Sequence, residues 1–216
     1  MKKFFTGMLV LLFALIVLRP AAADAASTRV DTRTGKVDVY VSSQDKGSFK
    51  LEIRQGKQVR YHDVYKGKNH FNLNYGNGDY TFALYQSSDG KRYKRISLLQ
   101  KTVRLTHSSA PYLHSTQNVS IDRVTSRLAS SLSRSSYSTS QQTLVTSRHV
   151  GKTIAYDYKK LNKLSSTYLP DNATTLQTKR GICYDFASLN AALLRAQGIP
   201  TRLVMGSAKG VTGYHA

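Results

Sequence analysis

The chain has 216 residues and a formal net charge of +20 at pH 7, because 32 lysines and arginines outnumber 12 aspartates and glutamates. This length is enough for one large domain or two small ones with real hydrophobic cores, and we expect two. Cys183 is the only cysteine, which excludes an internal disulfide, so the thiol needs another explanation.

The amino terminus has the pattern of a secretory signal peptide. Lys2 and Lys3 precede an apolar run over residues 8–18, and Ala23-Asp24-Ala25 offers a small-x-small cleavage site. The run is too short to cross a bilayer comfortably as a permanent helix. We therefore expect a signal peptide over residues 1–25, no stable membrane span after its cleavage, and a secreted or cell-wall-associated protein; a retained membrane anchor is the alternative.

The positive charge remains after this segment is removed. Residues 1–25 contain three basic side chains and one acidic one, so the mature part keeps 29 basic and 11 acidic residues, a net +18. Export removes nucleic acid from reach, and we expect anionic cell-wall polymers or membrane surfaces as partners instead. The basic residues are scattered along the sequence, so a merely solvated, soluble surface is the alternative.

Residues 36–105 alternate between apolar and polar side chains in short steps. Turn residues separate the steps at 45–47, 55–57, 76–79 and 89–91. This spacing predicts an antiparallel sandwich of about seven strands, immunoglobulin-like, over residues 26–106. Apolar positions that follow the alternation are Val37, Val39, Val41, Phe49, Leu51, Ile53, Val59, Tyr61, Phe71, Leu73, Tyr80, Phe82 and Leu84.

The other aromatic and histidine side chains of this region do not have the spacing of a binding site or a metal site. Tyr75, Tyr85 and Tyr93 could line a binding face, but packing explains them more simply. We expect His62, His70, His107 and His114 to be surface or packing residues, because they lack metal-ligand spacing. Nothing in the chain has nucleotide spacing either, so we expect no cofactor and no metal.

The composition then changes to Ser, Thr and Asn, which predicts a linker over residues 107–119 before a domain over 120–216. Ile121, Val124, Leu128 and Leu132 predict one amphipathic helix, capped by Asn118 or Ser120. Val150, Ile154, Tyr158 and Leu161 predict a second helix after a Ser-rich break over residues 130–140. Together with the strands, these helices indicate an α+β fold.

Cys183 lies where a third helix should begin. Apolar residues recur at helical intervals after it, and Gly198 and Pro200 end the pattern. Backbone N–H groups at a helix start stabilise a thiolate and can donate to the oxyanion that forms when a thiolate attacks a carbonyl. A cysteine in a helix is more often a small buried apolar residue, so this position alone does not show that Cys183 is catalytic.

A base for the thiol is available further along the chain. Residues 201–206 predict a buried strand, and a Gly-rich turn separates it from His215, which could open a neighbouring antiparallel strand beside the helix start. Asp185 would face another side of the helix, so we expect a salt bridge or cap there rather than catalysis. Arg195 is likewise expected to be structural.

These segments resemble the core of the bacterial transglutaminase-like superfamily. The resemblance rests on Gly-Ile-Cys-Tyr-Asp-Phe-Ala at 181–187, Ala-Leu-Leu-Arg-Ala-Gln-Gly-Ile-Pro at 192–200 and Tyr-His-Ala at 214–216, and extends upstream to Tyr156-Asp157-Tyr158 and Tyr168-Leu-Pro170. It implies a papain-like core in which Cys183 is the nucleophile and His215 the general base. The implied reaction forms a thioester from a protein or peptide amide, which an amine or water then resolves.

The chain departs from the family at one point. The third catalytic group of the family is an Asp or Asn beyond the histidine, whereas no carboxylate follows Asp185 here. We therefore expect a domain truncated after the histidine motif, with little activity in this form. Two alternatives stay open: a cysteine peptidase or amidase that uses the same pair, and a noncatalytic wall-binding protein in which the papain-like part is a scaffold.

Overall fold

The structure is a computed structural model that describes residues 26–207, 209–210 and 214–216. The expected signal peptide, residues 1–25, lies outside the described residues. In the part of the chain that is described, no helix has both the length and the apolar composition needed to cross a bilayer.

The amino-terminal half consists of seven strands that form two antiparallel sheets. The three-stranded sheet has the order β1-β2-β5 and the four-stranded sheet the order β4-β3-β6-β7. Polar turns such as Gly56-Lys57 connect neighbouring strands, as the turn residues predict. The strands are β1 (Ser27–Val30), β2 (Lys36–Val41), β3 (Ser48–Gln55), β4 (Gln58–Val64), β5 (Gly67–Asn72), β6 (Gly78–Ser87) and β7 (Lys94–Val103).

The two sheets share one hydrophobic core, to which every second residue of the central strands contributes. Val37, Val39 and Val41 of β2 are buried in it, as are Tyr80 and Phe82 of β6. The predicted period-two alternation is therefore confirmed for these strands. β1 was missed because Ser27–Val30 is too short and polar to show the pattern. The immunoglobulin-like classification stays a prediction.

The segment predicted as a linker has structure of its own. It contains a 3-10 helix, Ala110–Leu113, and the N–H of Gln117 donates to the carbonyl of His70 over 2.9 Å. Val119 is buried and packs with Ala191 and Ala192 in a core cluster of the carboxy-terminal half. Residues 107–119 therefore contact both halves of the chain.

Helix α1, Arg123–Leu132, corresponds to the first predicted helix, with two differences. Its N-cap is Asp122, whose side chain accepts from the backbone N–H of Thr125, so both predicted caps were wrong. Val124 is 50% exposed, and the buried face is formed by Thr125 and Ala129 with Leu128 and Leu132 beside it. The helix is rotated from its predicted orientation because small residues, not Val124, allow close packing.

The second predicted helix is divided into three elements. α2 runs over Thr139–Thr153 and ends with Ile154 as its C-cap; β8, Ala155–Tyr156, and the short helix α3, Tyr158–Leu161, follow. The single continuous helix through Ile154 and Tyr158 was therefore wrong. Tyr158 fits the helical spacing of Val150 and Ile154 only by coincidence, because it is 71% exposed and does not extend their buried face.

The chain then forms α4 (Asn172–Thr178), β9 (Arg180–Gly181) and α5 (Cys183–Ala196), and α5 packs against α1, α2 and α4. Two short strands close the described part, β10 (Gly206–Ser207) and β11 (Tyr214–His215), which pair antiparallel. The predicted buried strand at 201–206 was wrong: strand structure starts only at Gly206, and Val204 is 66% exposed. The described part is an α+β fold whose two main sheets are antiparallel.

Candidate active site

Helix α5 begins at Cys183, and the residues around its start explain why. Asp185 lies at the third helical position, and its Oδ2 accepts the backbone N–H of Ile182 over 2.9 Å, which satisfies one of the unpaired donors of the helix start. At the other end, Gly198 adopts a φ of +77°, which favours glycine and ends the helix. Cys183 is half-buried and its thiol is free.

Asp185 is a fully buried carboxylate at the centre of a small polar network. Lys160 Nζ lies 2.7 Å from its Oδ2, and the hydroxyl of Tyr168 donates to its Oδ1. Burial, and then the hydrogen bond to Asp185, raises the pKa of Tyr168. The prediction that Asp185 forms a salt bridge or cap is therefore confirmed, because it does both. It fixes the segment 158–168 to the start of α5.

Gly181 permits this arrangement. A Cβ at this position would lie 2.7 Å from the Cβ of Asp185, closer than real Cβ contacts come. Only glycine therefore allows the chain to pass so near the buried carboxylate before it turns into α5.

Tyr156 is brought beside Cys183 by a short parallel ladder. β8 pairs with β9 so that Tyr156 is opposite Gly181, and the N–H of Asp157 donates to the Gly181 carbonyl over 2.8 Å. Burial raises the pKa of Tyr156, and the thiol of Cys183 raises it further, whereas the Cys183 N–H, which donates to the phenol oxygen, opposes that rise. The phenol thus lies next to both the thiol and the backbone N–H of Cys183.

Cys183 and Tyr156 face a solvent-open cavity of about 410 Å³ between α2 and α5. Its wall is mainly apolar, and Ala216, the residue after His215, belongs to it. His215 itself is half-buried on β11 and opposite Gly206 in the register of the hairpin. The remaining lining residues are Ser147, Val150, Gly151, Phe186, Ala187 and Asn190.

Comparison with known proteins identifies this region. Residues 126–216 match the family model of the transglutaminase-like superfamily. This part of the chain is a transglutaminase-like domain. No curated protein matches the chain.

Among solved structures, the chain matches a β-1,2-glucanase from Parabacteroides distasonis at 8% sequence identity and a TM-score of 0.28. The match covers 63% of this chain and 26% of the glucanase chain, so it spans about a quarter of that structure's length. A likeness at this TM-score carries no argument about fold or activity.

Within the transglutaminase-like domain, the two predicted catalytic residues lie at one cavity wall or directly beside it. Cys183 lines the cavity, and the position of Ala216 places the backbone of the His215 strand at the same cavity. Their catalytic roles stay predictions. The antiparallel pairing of β10 and β11 agrees with the prediction that His215 enters an antiparallel strand.

Arg195 of the transglutaminase-like domain is structural, as predicted. It is buried at the end of α5, where Nε donates to the carbonyl of Thr201 over 2.9 Å and Nη1 to that of His114 over 2.5 Å. Burial lowers the pKa of Arg195 to about 10. Its two carbonyl partners connect the helix to the segment 107–119.

Sequence reasoning missed three residues of the transglutaminase-like domain: Tyr156, Lys160 and Tyr168. Tyr156 and Tyr168 occur in the motifs that carry the family resemblance, but no spacing indicates that they contact Cys183 or Asp185. Lys160 belongs to no motif, and the sequence does not distinguish it from the exposed basic residues. The described residues contain no group of three or more His, Cys, Asp or Glu that could hold a metal ion.

The geometry around Cys183 is suited to attack on a carbonyl. Two donors, the Cys183 N–H and the Tyr156 hydroxyl, lie beside the sulfur of Cys183. A carbonyl oxygen entering from the cavity could accept from both as it becomes negative. The apolar wall would strengthen these hydrogen bonds by lowering the local dielectric.

Proposed function

We propose that this protein is an exported cysteine enzyme that forms a Cys183 thioester from a protein or peptide amide. The supporting observation is the cavity shared by the Cys183 thiol, the Tyr156 phenol and the residue that follows His215. The match to the transglutaminase-like superfamily supports the same class of chemistry. Export and a location at the cell wall are proposed from the signal-peptide pattern and the excess of basic residues.

In the proposed reaction, His215 accepts the proton of the Cys183 thiol and the thiolate attacks the amide carbonyl carbon. The tetrahedral oxyanion accepts hydrogen bonds from the Cys183 N–H and the Tyr156 hydroxyl. The carbon–nitrogen bond then breaks, and His215 returns the proton to the leaving amine. An amine or water attacks the thioester and releases Cys183.

Thiol reactivity tests this proposal on the 216-residue chain. At pH 6, iodoacetamide should alkylate Cys183 much faster than a free cysteine in solution, because the proposed base His215 accepts the proton of the thiol. His215→Ala should slow alkylation at pH 6, because it removes the proposed base. Slow alkylation of the unmodified chain would contradict the proposal and favour the noncatalytic wall-binding function.

Acyl transfer is tested with a p-nitrophenyl acetate burst, which reports formation of the thioester. Because p-nitrophenolate is a good leaving group, we expect a burst stoichiometric with protein even where amide turnover is slow, and we expect its loss in Cys183→Ala. A chain that alkylates rapidly yet shows no acyl burst would not be an acyl-transfer enzyme.

Hydrolysis is the second candidate outcome, and the open cavity favours it because water reaches the thioester freely. A glutamine-containing protein incubated with a labelled primary amine distinguishes the two reactions. Covalent label that depends on Cys183 indicates amine transfer, and release of ammonia without label indicates hydrolysis.

A further inference from the structure

Six cationic side chains gather at one end of the four-stranded sheet, although the basic residues are dispersed along the sequence. Four come from the run Lys91-Arg92-Tyr93-Lys94-Arg95, which spans the β6–β7 hairpin tip and the start of β7. Lys46 and Lys66 join them from neighbouring loops. We call this group the basic end: Lys46, Lys66, Lys91, Arg92, Lys94 and Arg95.

Hydrogen bonds hold the loops of the basic end together. Gln86 Nε2 donates to the carbonyl of Lys46 over 2.7 Å, and the ammonium of Lys66 donates to the carbonyl of Asp45. At the hairpin tip, Asp89 accepts the N–H groups of Lys91 and Arg92, each over 2.9 Å. The backbone of the tip is therefore held in a defined turn by the Asp89 carboxylate.

Most of this charge is uncompensated. Asp45 and Asp89 belong to the same loops, and the six cations exceed these two carboxylates by four charges; Asp63 at this end of the sheet is paired with Lys50. The Arg92 guanidinium is 94% exposed and lies 3.6 Å from Asp89. Within the described ranges, no carboxylate lies at ion-pair distance from Lys91, Lys94 or Arg95, so these groups are available to a partner.

The arrangement fits a long partner better than a small ion. Consecutive residues of an extended segment project to opposite sides, so Lys94 and Arg95 cannot converge on one small anion. β7 is also the edge strand of its sheet, which leaves the cations accessible along its side. A flexible chain with an anionic group in each repeat can contact both sides of such a strand.

Two other polyanions fit less well. Residues 88–92 at the tip are Ser, Asp, Gly, Lys and Arg, so the tip lacks the apolar side chain that anchors a protein in a bilayer. Single-stranded nucleic acid binds on exposed aromatic platforms. Tyr93, the aromatic residue of the run, is half-buried with the Lys50 ammonium 5.6 Å from its ring centroid.

We propose that the basic end is a binding site for a linear, phosphate-bearing polymer of the cell envelope. The site lies in the β-stranded half and is independent of the enzymatic activity proposed above. Its attraction is electrostatic, so it should weaken as salt shortens the Debye length from about 30 Å at 0.01 M to about 8 Å at 0.15 M.

Binding of fluorescently labelled long-chain polyphosphate tests the site. The variant Lys91→Gln/Arg92→Gln/Lys94→Gln/Arg95→Gln should lose at least about tenfold in affinity, and the slope of log K against log salt should fall by roughly 3, as expected when four phosphate contacts are lost. The matched control, Arg123→Gln/Arg127→Gln/Arg148→Gln/Lys152→Gln, removes equal charge from exposed positions of α1 and α2. The control variant should bind polyphosphate with an affinity within about threefold of that of the unmodified protein.

Any of the following outcomes would contradict the proposed binding site. Equal losses in the two variants would mean that net charge alone binds the polymer, and no loss in the first would place the contact elsewhere. Vesicles of phosphatidylcholine and phosphatidylserine that bind more tightly than polyphosphate would make a bilayer the partner. Tighter binding of an oligothymidylate would make it nucleic acid. Unchanged circular dichroism of both variants confirms that neither result comes from unfolding.

Discussion

Lys160 Nζ lies 2.7 Å from Oδ2 of Asp185, and the Asp185 side chain is completely buried. The pair connects a short surface helix to the start of the helix that carries Cys183. Because the carboxylate also accepts from the backbone of Ile182, the orientation of Cys183 depends on a charge that solvent does not reach.

Asp185→Ala should destabilise the protein by about 3–5 kcal/mol, because it leaves the Lys160 ammonium and a helix-start N–H without their buried partner. Urea unfolding measures the change. Asp63→Ala is the matched control, since Asp63 forms a pair of similar length with Lys50 but is 59% exposed; it should cost less than about 1 kcal/mol. Equal losses of unfolding free energy in the two variants would show that the buried Asp185 network stabilises the protein no more than an exposed ion pair does.

Gly181→Ala should destabilise by about 1–3 kcal/mol, because its Cβ would overlap the Cβ of Asp185 and displace it. Gly151→Ala is the control: this glycine is inside helix α2 with open space around it, and alanine there should add up to about 1 kcal/mol of stability. Thermal unfolding of both variants tests the pair. A Gly181→Ala protein as stable as the parent would contradict the close approach.

Tyr156→Phe should slow acylation by p-nitrophenyl acetate roughly 10²-fold, because one of two oxyanion donors is removed. Alkylation by iodoacetamide should hardly change, since that displacement forms no oxyanion. The control is Tyr158→Phe, whose ring centroid lies 4.9 Å from that of Tyr156 but whose side chain is exposed. If Tyr156→Phe slowed both reactions equally, the phenol would act on the thiol rather than on the oxyanion.

The β-stranded half should lose stability in acid through His62. Burial lowers the pKa of His62 to about 4, and its buried Nε2 has no hydrogen-bond partner among the residues that the structure describes. The unfolded state therefore binds a proton at higher pH than the folded state does, so stability falls as the pH decreases from about 6.5 to about 4. Allowing for solvent near the half-buried ring, we expect a loss of about 1–2 kcal/mol.

Urea unfolding at several pH values measures this loss. His62→Phe should flatten the pH dependence in that window, whereas His107→Gln at an exposed position should leave it unchanged. An identical pH profile for His62→Phe would assign the acid sensitivity to other groups.

Local patterns predicted the strands and the helix start well. The alternation of Val37, Val39 and Val41 is a direct consequence of one buried sheet face, and the Gly198-Ile199-Pro200 stop signal correctly ended the Cys183 helix. Each of these features depends on residues close together in sequence, which is why a sequence can show it.

Contacts between distant segments could not be predicted in the same way. Tyr156 meets Cys183 only because β8 and β9 pair, and two-residue strands have too few positions to show a period. The helix predicted through Ile154 and Tyr158 failed for a related reason: a β-ladder partner, not local propensity, determines the backbone at Ala155 and Tyr156. The excess charge of the basic end likewise becomes visible only when loops far apart in sequence meet.

The tether from Arg195 to His114 has a consequence for how the chain can be divided. A fragment starting at residue 120 would keep the buried guanidinium but lose one carbonyl that receives its hydrogen bonds, and it would lose Val119 from the side of α5. Such a fragment should be a poor folding unit, and protease trimming of the native protein should stop upstream of His114. The smallest fragment of the carboxy-terminal half that folds alone would then include part of the segment 107–119.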